Sequence, residues 1–303
     1  MRILLTGVSG YVGGLLVAPL LADGHDLRGL SRRPATLDLP IPVCAGDVLS
    51  GAGLERALDG VEVAYYLIHS MEPGGRGSLQ DRERGGAERF AAAARRAGVR
   101  RIVYLGGLTP PGPISSHLAS RLAVERALLE AVDGSVAFRA SIVIGARSRS
   151  FRFLVRLIER LPVLVLPAWH PNRTAPVDER DVVAVLRAAA THEQLGGMSL
   201  DIPGPDVVSY AGLIERIRDH MVLRRAIVQL NQVAVTPIAS RVSAVISGEQ
   251  HDLVAPLMES LETDLLPRDD LALRILGVRR HTLDAAIEHA LRDWELHEPL
   301  AAR

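Results

Sequence analysis

The sequence predicts an α/β fold, a doubly wound parallel sheet with a smaller, mostly helical C-terminal cap. Three observations carry this. Short β-like runs alternate with helical patterns through the first hundred residues, a strand–glycine turn–helix unit opens the chain, and the alternation gives way to helical and proline-rich sequence after Gly145. With 303 residues, 48% of them hydrophobic and 23% charged, the chain can bury a large core. The expected division is residues 1–200 for the sheet domain and 201–303 for the cap, interleaved with 145–172.

In order, Arg2–Leu5 reads as a strand, followed by the glycine turn and a helix to about Ala22, closed by Asp23-Gly24. Pro19 falls inside that helix, where it removes one backbone hydrogen bond and should bend it. Asp26–Leu30 and Val43–Gly46 are the next strands, Leu54–Leu58 sits in a short helix, and Val63–Ile68 is the nearly continuous apolar run of a strand buried on both faces. A helix over Asp81–Ala97 places Ala87, Phe90, Ala91 and Ala94 on one stripe, with Gly98 as its C-cap. Its arginines read as a solvated face. Arg101–Leu105 is a strand, a helix spans about Ser116–Val132, and Val136–Ile144 returns to the sheet as one strand. Helices follow around Phe151–Arg160, Asp181–Ala190 and Ser209–His220, and the tail from Ala226 is mixed and mostly helical.

Charge and cysteine content narrow the function classes. Lys plus Arg and Asp plus Glu both total 35, so no overall field favours nucleic acid or an anionic membrane. Cys44 stands alone, which argues against a disulfide framework and a cysteine-based metal site and reads as an apolar filler. The apolar run Ile3-Leu4-Leu5 is shorter than the ~7–15 residues of a signal h-region. No segment approaches the ~20 apolar residues of a membrane span, since the 226–246 region is broken by Gln229, Asn231, Gln232, Pro237 and Arg241. A cytoplasmic monomer or homodimer acting on a small molecule is the expectation, with no nucleic acid partner and no integral membrane segment.

The stretch TGVSGYVGG, residues 6–14, spaces its glycines as Gly7-x-x-Gly10-x-x-Gly13. Between a strand and a helix, the first glycine permits the tight turn, the second lets backbone approach a pyrophosphate, and the third lets the helix pack on the sheet. Ser9, Tyr11 and Val12 then belong to the cofactor site with the glycines, their backbone N–H groups facing the phosphates. At the end of the second strand, where an acid would bind the ribose of NAD, the sequence reads Ser31-Arg32-Arg33. Two guanidinium groups and a hydroxyl suit the 2′-phosphate of NADP(H), the expected cofactor. Asp47 and Val48 offer a carboxylate and an amide to the adenine.

These motifs resemble the short-chain dehydrogenase/reductase family of the extended and atypical kind. Thr-Gly-x-x-Gly-x-x-Gly at 6–13, Gly46-Asp47, VAYYLIHS at 63–70, RRIVYLGG at 100–107 and PVDERDV at 176–182 occur in the family's order, and DIPGPDVVSYAGLIERI at 201–217 extends the likeness. More narrowly the chain resembles an atypical bacterial subgroup, with NmrA-like proteins and an accessory subunit of respiratory complex I as cousins. The resemblance implies a Rossmann fold and a nicotinamide dinucleotide. It places Leu67, Ile68 and His69 along the cofactor ribose, and Ser141 and Ile142 near the nicotinamide.

The catalytic signature departs from that family. The Tyr-x-x-x-Lys slot reads His117-x-x-x-Arg121, and the strand-end hydroxyl position reads Leu105-Gly106-Gly107, with Gly106 counted in the cofactor site. Arginine holds ribose hydroxyls but does not shuttle protons, whereas histidine suits acid–base work near neutrality. His117 and Arg121 are thus the catalytic candidates. Equally, Arg121 pairs with Glu125 on a helix surface and His117 is a helix-start residue that binds no substrate. Thr109, Ser115 and Ser116 are candidate replacements for the missing hydroxyl.

Arg147, Arg149, Arg152 and Arg156 form either an anion-binding loop or a solvated helix start, the latter favoured. His170 lacks ligand partners at metal spacing, so no metal is expected. His281, His289 and His297 read as surface residues, with His281-Thr282 at a helix start. The apolar stretch 222–267 lines a substrate pocket or a subunit interface. The functional expectation is an NADP(H)-dependent oxidoreductase acting on a small, partly apolar carbonyl or alkene compound. The alternative is a non-catalytic dinucleotide-binding redox sensor or assembly protein, with an isomerase or dehydratase third.

Overall fold

The computed structural model describes residues 1–68, 79–110, 112, 114–230 and 260–300. His69 and the apolar residues from Val233 to Ile246 lie outside the described residues. The centre is a seven-stranded sheet built from β1 (Arg2–Thr6), β2 (Asp26–Ser31), β3 (Val43–Ala45), β4 (Val63–Tyr66), β5 (Arg101–Gly107), β6 (Val136–Ala140) and β11 (Met198–Ile202). Its order is β11-β6-β5-β4-β1-β2-β3, and every pairing is parallel. Helices on both faces make the strands apolar along their length: all four residues of β4 are buried.

Side chains leave a strand alternately to its two faces, so neighbouring residues enter different cores. Ile3 and Leu5 pack in one core with α1 (Tyr11–Ala22) and α6 (Glu179–Ala189), while Leu4 packs in another with α2 (Leu54–Leu58), α3 (Leu79–Arg96) and α4 (Ser116–Ala131). Helix α1 runs through Pro19 to Ala22. Cys44 is half-buried against the second of these cores.

The single strand expected over 136–144 is two. Strand β6 ends at Ala140, and β7 (Val143–Ile144) leaves the sheet to pair in parallel with β10 (Val177–Asp178). The cause is non-local: the Ser141 hydroxyl donates to the Ala175 carbonyl at 2.5 Å and the Val177 N–H donates to the Ile142 carbonyl at 3.0 Å. Both bonds draw the chain off the sheet.

A third core gathers the rest. It is formed by α5 (Arg149–Arg160), α7 (Tyr210–His220) and α9 (Leu283–Glu295), with β8 (Val163–Leu166) paired in parallel to β13 (Ala226–Gln229). Short β9 (Arg173–Thr174) pairs antiparallel with β12 (Val208–Ser209). Helix α8 (Leu271–Leu276) returns to the sheet domain, where Ala272 and Leu273 join the core of α1 and α6. Strand β11 straddles the 200/201 division expected from the sequence.

Two of the four arginines at 147–156 belong to neither reading. The Arg152 and Arg156 guanidiniums lie over the Trp294 ring at 4.5 and 5.0 Å, and both pair with Glu298. They fasten α5 to the C-terminal helix, whereas Arg147 and Arg149 are exposed.

Candidate functional site

A parallel sheet brings the carboxyl ends of all its strands to one edge, where open α/β sheets bind ligands. That edge gathers Gly7 after β1, Ser31 at the end of β2, Asp47 after β3, Leu67 and Ile68 after β4, Gly106 in β5, and Ser141 and Ile142 after β6. Helix α4, which follows β5, carries His117 and Arg121 in its first two turns.

The glycine turn is built on backbone contacts. Gly7 has φ of +66°, and a Cβ there would stand 2.5 Å from the Leu67 carbonyl oxygen. At Gly13 a Cβ would stand 2.3 Å from the Gly7 oxygen, so α1 packs on the turn only because that atom is missing. A Cβ on Gly10 would meet the Gly7 oxygen at 3.0 Å. Gly10 is also the N-cap of α1 and has no side-chain cap, and no acid occupies the first turn. An uncapped helix start over a cradle that a Cβ would fill suits the pyrophosphate of a dinucleotide. Thr6 braces the turn from below: its hydroxyl donates to the Tyr65 carbonyl at 2.9 Å and accepts from the Leu67 N–H at 3.1 Å.

The remaining cofactor candidates differ in what holds them. Ser9, Arg32 and Arg33 are exposed, and the Ser31 hydroxyl accepts the Arg33 N–H at 3.1 Å. The Asp47 carboxylate caps its own turn through the Leu49 N–H at 3.0 Å, and the Val48 side chain is buried in the core beneath α3. Gly106 lies against the Tyr104 ring, 3.0 Å from where a Cβ would be.

At and before the start of α4, two of the three candidate hydroxyls accept hydrogen bonds from the chain itself. Ser115 is the N-cap, accepting from the Leu118 N–H at 3.2 Å, and Thr109 accepts from the Arg139 guanidinium at 3.3 Å. His117 is half-buried, and its burial together with the neighbouring Arg121 charge holds the imidazole well below the usual range, at about 4. Glu125 takes a bidentate pair from Arg139 of β6, at 2.6 and 2.9 Å, and a hydrogen bond from Ser199 of β11 at 2.6 Å. This buried pair locks α4 to two strands.

One constellation is not visible in the spacing. The Tyr11 hydroxyl donates to Glu179, the first residue of α6, and His289 of α9 stands 3.5 Å from the other carboxylate oxygen. Two residues on, the buried Asp181 binds both the backbone N–H and the Nδ1 of His281, at 2.9 and 2.6 Å. His281 and His289, read from the sequence as surface residues, are thus half-exposed partners of buried carboxylates. The signal was three acids within 178–181 ahead of an apolar helix. Asp178 pairs with Arg180 beside it, whereas the partners of Glu179 and Asp181 lie a hundred or more residues away. Among the described residues, no cluster of three His, Cys, Asp or Glu side chains is placed to hold a metal ion, and no helix is long and apolar enough to cross a membrane.

Comparisons with known proteins agree with this geometry. A family model described as NAD(P)H-binding matches residues 7–131. A 3 beta-hydroxysteroid dehydrogenase/Delta 5→4-isomerase of Mycobacterium tuberculosis is 34% identical over 113 residues, and the match spans 34% of this chain and only 30% of that one. A ceramide reductase of Caulobacter vibrioides is 29% identical over 65% of this chain and 63% of its own length. A (4-alkanoyl-5-oxo-2,5-dihydrofuran-3-yl)methyl phosphate reductase of Streptomyces griseus is 31% identical over 68% of this chain and 69% of its own. Among solved structures, a nucleoside-diphosphate-sugar epimerase of Staphylococcus aureus superposes with a TM-score of 0.77 at 14% identity, covering 95% of this chain and all of that one. A short-chain dehydrogenase/reductase superfamily protein of Agrobacterium tumefaciens with bound NAD gives 0.70 at 20% identity, over 98% of both chains. With a strand–turn–helix that fits a dinucleotide, a parallel sheet ordered about β1 and these relatives, the chain belongs to the short-chain dehydrogenase/reductase superfamily, as an atypical NAD(P)-binding member.

Proposed function

We propose that the protein is an NADP(H)-dependent oxidoreductase acting on a small, partly apolar carbonyl or alkene compound. The observation that carries the cofactor choice is the end of β2, where exposed Arg32 and Arg33 follow Ser31 and no acid is present. Charge-assisted hydrogen bonds from a guanidinium to phosphate contribute about 1.5–3 kcal/mol, roughly ten- to a hundredfold in affinity. The reductases of Caulobacter vibrioides and Streptomyces griseus support the reaction class.

The bound nicotinamide supplies hydride chemistry, and the chain supplies orientation and electrostatics. In this reading the start of α1 and the glycine turn hold the phosphates, Ser31, Arg32 and Arg33 the 2′-phosphate, Asp47 and Val48 the adenine, Leu67 and Ile68 the ribose, and Ser141 and Ile142 flank the nicotinamide. Arg121 adds positive charge near the ribose. His117 has a narrower role than a proton donor. Burial and the neighbouring Arg121 charge keep the imidazole neutral near pH 7, so in this reading His117 orients a substrate oxygen through a neutral N–H.

The changed catalytic positions, Gly106, His117 and Arg121, favour a second reading, a dinucleotide-binding sensor or assembly protein without turnover. Titrating the protein with NADPH, NADP⁺, NADH and NAD⁺ tests the first. A clear preference for the phosphorylated pair, lost in the Arg32→Ala/Arg33→Ala double variant, is the expected result. Equal affinity for both pairs removes the 2′-phosphate assignment. An NADPH-consumption screen over carbonyl and alkene compounds then separates turnover from sensing.

A further inference from the structure

Glu179 stands at the junction of three elements that the chain brings together from far apart. Tyr11 is the first helical residue of α1, directly after Gly10, so it sends its backbone N–H to the open helix start and its hydroxyl to the Glu179 carboxylate. The pair meets beside Gly145, where a Cβ would collide with both the Tyr11 hydroxyl and the Glu179 carboxylate. On the far side is His289, 3.5 Å from Glu179, with 35% of its own side chain exposed against 9% for the carboxylate. Solvent therefore reaches the buried acid's partner. Among the described residues, the charged groups facing this carboxylate can be named. Tyr11 comes from α1, His289 and Asp293 from α9, Asp178 and Arg180 from its own helix start, and Arg147 from the loop after β7 acts on the Tyr11 hydroxyl.

We propose that dinucleotide binding is coupled to proton uptake by Glu179, which stands at the far end of Tyr11 from the glycine turn, so that the charge of this carboxyl sets the turn's cofactor affinity. The inference rests on the turn being the dinucleotide site, as argued above. Tyr11 spans the two charges: a bound pyrophosphate is at its backbone end and Glu179 at its hydroxyl end. Two anions held at opposite ends of one rigid ring repel through low-dielectric surroundings, and protonating the carboxyl removes the repulsion. Burial already pushes the Glu179 carboxyl above its ordinary range, partly offset by the Tyr11 hydrogen bond and the His289 charge. Affinity should therefore rise as pH falls through that raised value. Glu179 is not a catalytic residue, since it acts on the ligand by its charge from the far end of Tyr11 without touching it.

The test is calorimetric titration of the full-length protein with NADPH between pH 5.5 and 8, repeated in buffers of different ionisation enthalpy, which counts protons taken up per ligand bound. Glu179→Gln keeps an acceptor for the Tyr11 hydroxyl and loses the charge. Comparing variant with wild type cancels the ligand's own phosphate titration. We expect the wild type to take up a larger fraction of a proton than Glu179→Gln, and the variant to bind several-fold tighter at pH 7.5 with a flatter pH profile. Tyr11→Phe removes the hydrogen bond that holds the carboxyl down, so it should move the uptake maximum to higher pH, and this keeps the proposal testable if Glu179→Gln does not fold. Equal proton counts and equal pH slopes in wild type and variant, with both binding, overturn the coupling alone. A wild type that binds none of the four dinucleotides overturns the reading of the turn and takes this inference with it.

Discussion

The two halves of the candidate site lie at the same sheet edge but are built by different means. At the start of α1 the recognition groups are backbone amides, and the side chains are missing where they matter: a Cβ on Gly7 or Gly13 would meet carbonyl oxygens within 2.5 Å. At the start of α4 the working groups are side chains, and all three family positions have changed, to Gly106, His117 and Arg121. Backbone recognition is hard to lose by substitution except at a glycine, whereas a side-chain proton relay is lost one residue at a time. The two halves are therefore open to substitution in different ways: the α1 turn chiefly at its glycines, the α4 start at each side chain.

The largest expected effect lies on the α4 side. Glu125 and Arg139 are 5% and 11% exposed, and removing one partner of a buried ion pair costs about 3–5 kcal/mol. Glu125→Ala should lower the unfolding free energy from chemical denaturation by that amount, and a loss under about 1 kcal/mol would mean α4 is held by its apolar face alone. On the α1 side, Gly13→Ala forces a methyl onto the Gly7 oxygen and should cost roughly 3 kcal/mol, at the upper end of overpacking losses. A melting temperature unchanged from wild type would show that the turn yields.

Gly10→Val separates binding from folding. Its neighbour is looser, at 3.0 Å, so the protein should fold but lose dinucleotide affinity at least tenfold. Retained affinity moves the phosphates away from α1. The smallest effect is at His117. Its folded pKa of about 4 lies below the ordinary 6.5, so between these values the unfolded chain binds a proton that the native one does not. Stability present above pH 6.5 is thus lost as pH falls toward 4. His117→Asn should flatten a melting-temperature profile across that window and change NADPH affinity less than twofold. A profile identical to wild type would place the imidazole in water.

The strand–helix alternation was legible because each element declares itself locally. The glycine turn was legible because its spacing encodes backbone geometry. What escaped reading depends on pairs distant in sequence. The break at Ser141 is set by the Ala175 carbonyl and the Val177 N–H. Arg152 and Arg156 look like loop charges until Trp294 arrives from the C-terminal helix to lie beneath them. Tyr11 was expected at the cofactor site, but its hydroxyl partner Glu179 is 168 residues away, and no local periodicity points from one to the other.

The strand order has a consequence for how the molecule is made. β1, the first of the seven strands in chain order, lies inside the sheet, with β2 and then β3 added on one side and β4, β5, β6 and finally β11 on the other. Each strand leaving the ribosome meets an edge that is already standing, and none must be inserted between neighbours already paired. Only β11 waits for a long detour, through α5, α6 and the short strands between them, before it closes the growing edge. A nascent chain with residues up to about 145 outside the ribosome would therefore carry six of the seven strands in native order, with the outer edge of β6 bare until residue 202 emerges.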